Sequence, residues 1–238
     1  MDSQFKSSDT NGPGARRLRP AIINILCAAF FAGAFAAPVY AQQQPTAPSL
    51  LVATPDLDDP VFRQVVILLL PGAEPPLMAG VIINQPTTIP IKTLLPNAPA
   101  RIGDVVAYFG GPVEMDTPVM LLRAAAAPPG AIQVTADLYW MGDLASVKAF
   151  TKSNPAPDTV RLYYGRAQWL PIQLRGEVQS GAWYVEPVDP SAVFSANPKT
   201  LWRTLVERAQ LQETRNQTKL RGGSGARAAA ATLAKLVR

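Results

Sequence analysis

Residues Ser49–Phe62 read S-L-L-V-A-T-P-D-L-D-D-P-V-F. An apolar run stops at Thr54-Pro55 and gives way to three carboxylates set around one leucine. The run does not alternate apolar with polar, so it predicts a strand, Leu50–Thr54, buried on both faces. Proline has no N–H for the ladder and closes it. After that exit, Asp58 or Asp59 is placed to cap a short helical turn over Pro60–Gln64, and Asp56 to anchor the end of the strand. The same unbroken apolar pattern returns in Val65–Leu70 and Met78–Asn84. Further strands are expected at Val105–Phe109, Pro118–Arg123, Ile132–Thr135, Val160–Tyr164 and Trp183–Glu186. Helices are fewer: Leu144–Thr151 behind the N-cap Asp143, Leu170–Gln179 with Pro171 at its start, and Lys199 to about Gln217 behind Asn197-Pro198. Strands outnumber helices in a mixed order, which predicts an α+β domain over a regular βαβ layout.

With Ser49–Phe62, the segments Gly80–Pro86 (G-V-I-I-N-Q-P), Gly110–Val113 (G-G-P-V), Tyr164–Trp169 (Y-G-R-A-Q-W) and Ala182-Trp183 form a pattern that resembles the YqgE/AlgH family, also called UPF0301. The resemblance fades after about Arg208. It implies a single α+β domain, with a mixed, strongly curved β-sheet and a few outer helices, and no established biochemical activity. Many members of the family that it resembles carry a histidine after the second strand, where this chain has Leu70-Pro71-Gly72, and a G-Q-L-E type run where it has Ile172-Gln173-Leu174-Arg175. Roles resting on that histidine or that glutamate are not expected here.

Four regions follow: 1–41, a signal peptide; 42–48, a polar spacer; 49–208, the domain; and 209–238, a basic tail, partly helical or disordered, with a flexible joint at Arg221–Gly225. In the leader, Arg16, Arg17 and Arg19 precede an apolar run from Ala21 to Ala37, and small residues flank a cut after Ala41. Pro38 just before that cut favours cleavage over an uncleaved membrane anchor. Cys27 lies inside the apolar run without the small residues a lipidation site wants. The expected location is the periplasm, with retention by the N-terminal helix as the alternative.

Residues 42–238 hold no cysteine, and the whole chain holds no histidine. That excludes Cys/His zinc sites, disulfides, Cys–His pairs and Ser–His–Asp triads within the mature chain. No cofactor is expected. Residues 42–202 carry ten Lys or Arg against thirteen Asp or Glu, whereas 203–238 carry eight against two. The isoelectric point near 9.5 thus describes the two ends of the chain. A negative domain without a basic recognition helix is not built for nucleic acid, while the basic tail suits an anionic membrane surface.

Asp56, Asp58 and Asp59 have oxygen ligands but lack the further ligands and the glycine of a calcium loop, so capping is favoured over metal. Gly110-Gly111 permits positive φ and close backbone approach. A phosphate cradle there would be opposed by Glu114 and Asp116. Asn84 ends a strand, where its amide serves either a ligand or its own turn. Trp169 and Trp183 are read as core, and one of Tyr163 and Tyr164 should face outward. Ser146/Lys148 and Lys152/Ser153 are badly spaced for a Ser–Lys pair. The reading is a non-catalytic binding or regulatory module of the cell envelope. Its candidate groove comprises Asp56, Asp59, Arg63, Asn84, Gly110, Gly111 and Glu114, and its expected partner is an envelope protein or other macromolecule. The alternative is a hydrolase or transferase in which Asp59 or Glu114 acts as acid or base.

Overall fold

The computed structural model describes residues 48–72 and 76–236, with side chains up to residue 218. The expected leader and most of the spacer lie outside the described residues. Ten strands build one sheet: β1 Ser49–Ala53, β2 Val66–Leu70, β3 Met78–Ile82, β4 Pro86–Pro90, β5 Val106–Phe109, β6 Val113–Arg123, β7 Ile132–Gln133, β8 Leu138–Met141, β9 Val160–Trp169 and β10 Trp183–Pro187. The order is β10-β1-β2-β3-β9-β6-β8-β7, with β4 and β5 attached beside β9. Every pairing is antiparallel except β5 with β9. The sheet curves into a half-barrel, and the domain is α+β.

Both faces are covered, which is why β1 and β2 are buried at every position and read as unbroken apolar runs. One face packs Leu50, Val66, Val81, Leu121 and Tyr163 against helices α5 Pro190–Val193 and α6 Pro198–Leu236, through Val193, Leu201 and Leu205. The other face carries two clusters. Leu51, Ile67, Trp169 and Trp183 pack on α4 Pro171–Gln179. Met120, Leu122, Val160 and Leu162 pack on α1 Ile91–Leu94, α2 Ala100–Gly103 and α3 Leu144–Thr151. The expectation of an outward tyrosine is therefore corrected: Tyr163 is fully buried and Tyr164 packs against the third cluster, because β9 has no bare face.

Helix starts follow their local chemistry. The Asp143 carboxylate accepts from Ala145 N at 3.2 Å and Ser146 N at 2.7 Å, satisfying first-turn donors of α3. The Ser146 hydroxyl bond, followed by these two backbone bonds, holds Asp143 below the usual carboxylate range. Pro171 and Pro198 begin α4 and α6, where a missing N–H costs nothing. In α6, Trp202 Nε1 donates to Ala53 O at 2.7 Å and Arg208 Nη2 to buried Glu186 at 3.2 Å, fixing the helix to β1 and β10. Core burial in α6 extends to Ala209, while Leu211 is exposed. The helix then continues through Arg221–Gly225, where composition predicts a joint; the helix-forming Ala, Arg, Lys and Leu on both sides carry it across its three glycines at a cost of ~1 kcal/mol each.

Candidate functional site

The turn after β1 forms as its carboxylates predict, with Asp59 as the cap. Asp59 Oδ1 accepts from Val61 N at 2.8 Å and Phe62 N at 2.9 Å, and Asp59 O accepts from Arg63 N at 2.9 Å. The turn lays Phe62 on Trp169 and Trp183, at ring separations of 6.2 and 6.1 Å. It ends at Gln64, held at φ 58°, a left-handed conformation that non-glycine residues rarely adopt.

Asn84 explains that conformation. Its side chain is buried, its Oδ1 accepts from Val66 N at 2.8 Å, and its Nδ2 donates to Gln64 O at 3.0 Å. One amide thereby satisfies the polar groups on either side of the step from the turn into β2. Asn84 serves its own backbone surroundings, and so joins Asp59 and Arg63 in one structural unit. Asp56 stands elsewhere: it is exposed and acts electrostatically on Tyr184, whose hydroxyl pKa is raised chiefly by burial.

Gly110 and Gly111 are buried where β5 turns into β6 across β9. Gly110 N donates to Tyr164 O at 2.8 Å, and Ile82 N donates to Gly110 O at 2.9 Å. A Cβ on Gly110 would strike the Gly165 carbonyl, one on Gly111 the Arg166 backbone, and one on Gly165 the Gly111 carbonyl. Gly111 and Gly165 also lie at φ 148° and 70°. Three glycines let two chain segments touch backbone to backbone, which leaves no room there for a ligand.

Glu114 belongs to the strand beyond this crossing. The β6–β9 register slips between Val113, opposite Arg166, and Pro118, opposite Tyr164. The extra residues form a bulge. Glu114 stands at φ 49° within it, and its carboxylate pairs with the buried Arg166 guanidinium. Glu114, Met115 and Asp116 are exposed, Met115 to 53%. The seven candidates thus fall into three places: the Asp59–Arg63–Asn84 turn, the Gly110–Gly111 crossing with its Glu114 bulge, and Asp56 near Tyr184. Among the described residues no three acidic side chains gather at cation-holding distance, and no helix is long and apolar enough to cross a membrane.

Sequence reasoning passed over Glu177. Its Oε2 accepts from Trp169 Nε1 and Trp183 Nε1, both at 3.0 Å, and Oε1 accepts from Gln173 Nε2 at 3.1 Å. The two indoles are core residues, with Glu177 as their polar tether. The spacing of Gln173 and Glu177, one helical turn apart on α4, was the legible signal.

The profile of the family described as AlgH-like matches residues 50–213. A UPF0301 protein of Streptomyces coelicolor is 37% identical over 67% of this chain and 84% of its own length. A UPF0301 protein of an Anaeromyxobacter strain is 30% identical over 76% of this chain and 95% of its own. The solution structure of the AlgH protein from Pseudomonas aeruginosa superposes with a TM-score of 0.56 at 27% identity, covering 72% of this chain and 93% of that one. A crystal structure of a Corynebacterium diphtheriae protein, at 23% identity and a TM-score of 0.58 over 71% and 90% of the two chains, shares the fold.

Proposed function

The chain belongs to the AlgH-like UPF0301 family, and from that premise we propose that its domain is a non-catalytic contact module of the cell envelope that engages a macromolecular partner through the β6 bulge. The observation that carries this reading is the bulge itself. An apolar side chain, Met115, stands exposed between two carboxylates, Glu114 and Asp116, on backbone bent into a left-handed conformation and pinned by a buried arginine. Strain of this kind persists only where the surroundings enforce it. A rigid apolar tip with a charged rim has the composition of a recognition spot.

The other candidate residues support contact over chemistry. Asn84 and the glycines serve the backbone, and residues 42–238 contain neither histidine nor cysteine. The envelope assignment rests on the basic and apolar pattern of residues 1–41, and the excess of Lys and Arg over 203–238 adds affinity for an anionic surface. Crosslinking capture in cells making the full chain, followed by separation of periplasmic and cytoplasmic contents, tests both halves. The expected result is a partner recovered with the periplasmic fraction and lost in Met115→Asp while the domain stays folded. Equal capture by that variant would move contact away from the bulge, and cytoplasmic recovery would remove the envelope assignment. Turnover of a small substrate, lost in Glu114→Gln, would replace the contact reading with an enzyme.

A further inference from the structure

The half-barrel face that packs on α5 and α6 carries two arginines, Arg123 and Arg161, of which only Arg123 has a carboxylate partner among the described residues. The register Val119↔Tyr163 and Leu121↔Arg161 puts Tyr163 and Arg161 on one face, with Arg123 a diagonal step from Arg161. Tyr108, opposite Tyr163 on β5, joins them. Phe194, at the end of α5, is close to both arginines: the guanidinium carbon of Arg123 lies 5.0 Å from its ring centroid and that of Arg161 5.6 Å. Arg161 is also 5.7 Å from the Tyr108 ring.

The polar partners fall short. Arg123 Nε reaches Asp137 at 3.2 Å, an exposed pair that solvent screens. Arg161 is half-buried, and the acceptors of its Nη1 are neutral carbonyls, Pro157 O at 3.4 Å and Val160 O at 3.2 Å. No carboxylate among the described residues pairs with it, including exposed Asp158 on the preceding turn. Its Nε is buried without an acceptor, and so is the hydroxyl of fully buried Tyr163. Burial raises the pKa of that hydroxyl, and the charge of Arg161 opposes the rise. Two buried donors without acceptors lie beside two guanidiniums, of which only that of Arg123 has a carboxylate among the described residues; one negatively charged acceptor would serve them all.

We infer that this face binds a small oxyanion, a carboxylate or a phosphate, held by Arg161 with Arg123 at its outer side and the Phe194 and Tyr108 rings as walls. A guanidinium presents two parallel N–H groups to the two oxygens of such an anion. The site is separate from the β6 bulge, and neither reading needs the other.

The arginine side-chain N–H resonances of the full chain, titrated with inorganic phosphate, acetate and benzoate against sodium chloride at matched ionic strength, test this. A saturable shift at Arg161 Nε–H is expected with at least one oxyanion and not with chloride. Tightest binding by benzoate would identify an organic acid, and by phosphate a phosphate ligand. Arg161→Lys, which keeps the charge but loses the fork, should weaken binding at least tenfold. Arg123→Gln, at an exposed position, should weaken it severalfold without disturbing the backbone amide spectrum. Tyr163→Phe should melt higher than the parent in anion-free buffer, with the gap closing when the anion is added. A chloride titration that reproduces the shift, no saturation with any of the three anions, or unchanged affinity in both arginine variants would each overturn the inference and assign the unpaired donors to water.

Discussion

Asn84 separates two accounts of the same residue, because a groove amide is dispensable for folding and a backbone tether is not. Asn84→Ala removes the acceptor of Val66 N–H, at a fully buried position, and the donor to Gln64 O. A buried donor left unsatisfied costs ~1–3 kcal/mol and a lost part-buried hydrogen bond ~0.5–1.5 kcal/mol. The expected destabilisation is therefore about 2–4 kcal/mol, a large share of a domain's ~5–15 kcal/mol. Urea unfolding of the full chain at neutral pH, followed by tryptophan fluorescence, measures it directly. Exposed Thr88→Ala is the control and should stay within ~0.5 kcal/mol. Gln64→Gly relaxes the left-handed turn that Asn84 holds and should stabilise by up to ~1 kcal/mol. The two changes should also be non-additive, since they act on one hydrogen-bonded unit. A cost for Asn84→Ala no greater than the Thr88 control would refute the tether and return the amide to the surface of a binding groove.

Two further outcomes rest on polar groups described above. Glu177→Leu leaves the indole N–H groups of Trp169 and Trp183 without their acceptor and should cost about 2–4 kcal/mol in urea unfolding, whereas Glu177→Gln keeps an acceptor oxygen and should cost ~1 kcal/mol; equal losses would show that the tether is unimportant. Asp143 is held below its ordinary value of 3.8 by its cap bonds, so its contribution is present above that pH and is lost as pH falls through the lower folded-state value. Asp143→Asn should flatten this part of the acid limb in unfolding measured across pH, and parallel acid limbs for the two proteins would contradict the capping account.

Much of the sheet was legible because its strands are buried on both faces: β2, β3 and β1 from Leu50 onward carry no polar side chain, and no alternation was needed to find them. The segments that escaped have specific physical causes. β4 begins and ends in proline, which argues against a strand except at an edge. The outer half of β6 is charged because it is the bulge. The second half of β9 follows Gly165, whose positive φ bends the chain without ending the strand. At the candidate site, local signals were readable: Asp58 or Asp59 as a cap, the glycine pair as a close approach, the tryptophans as core. Partners distant in sequence were not, since nothing near Glu114 names Arg166, 52 positions away. Nor does anything near Phe194 announce two arginines.

The place of β1 between β2 and β10 governs when the domain can close during synthesis. Thr54, at the exit of β1, bonds to Gly181, 127 positions later. At ~5–20 residues per second, a ribosome needs roughly 6–25 s to cover that interval. Through that time the first strand has one neighbour at most, and its other edge offers unpaired backbone groups to any passing strand. The nascent chain is therefore open and exposed to mispairing until its last strand is made.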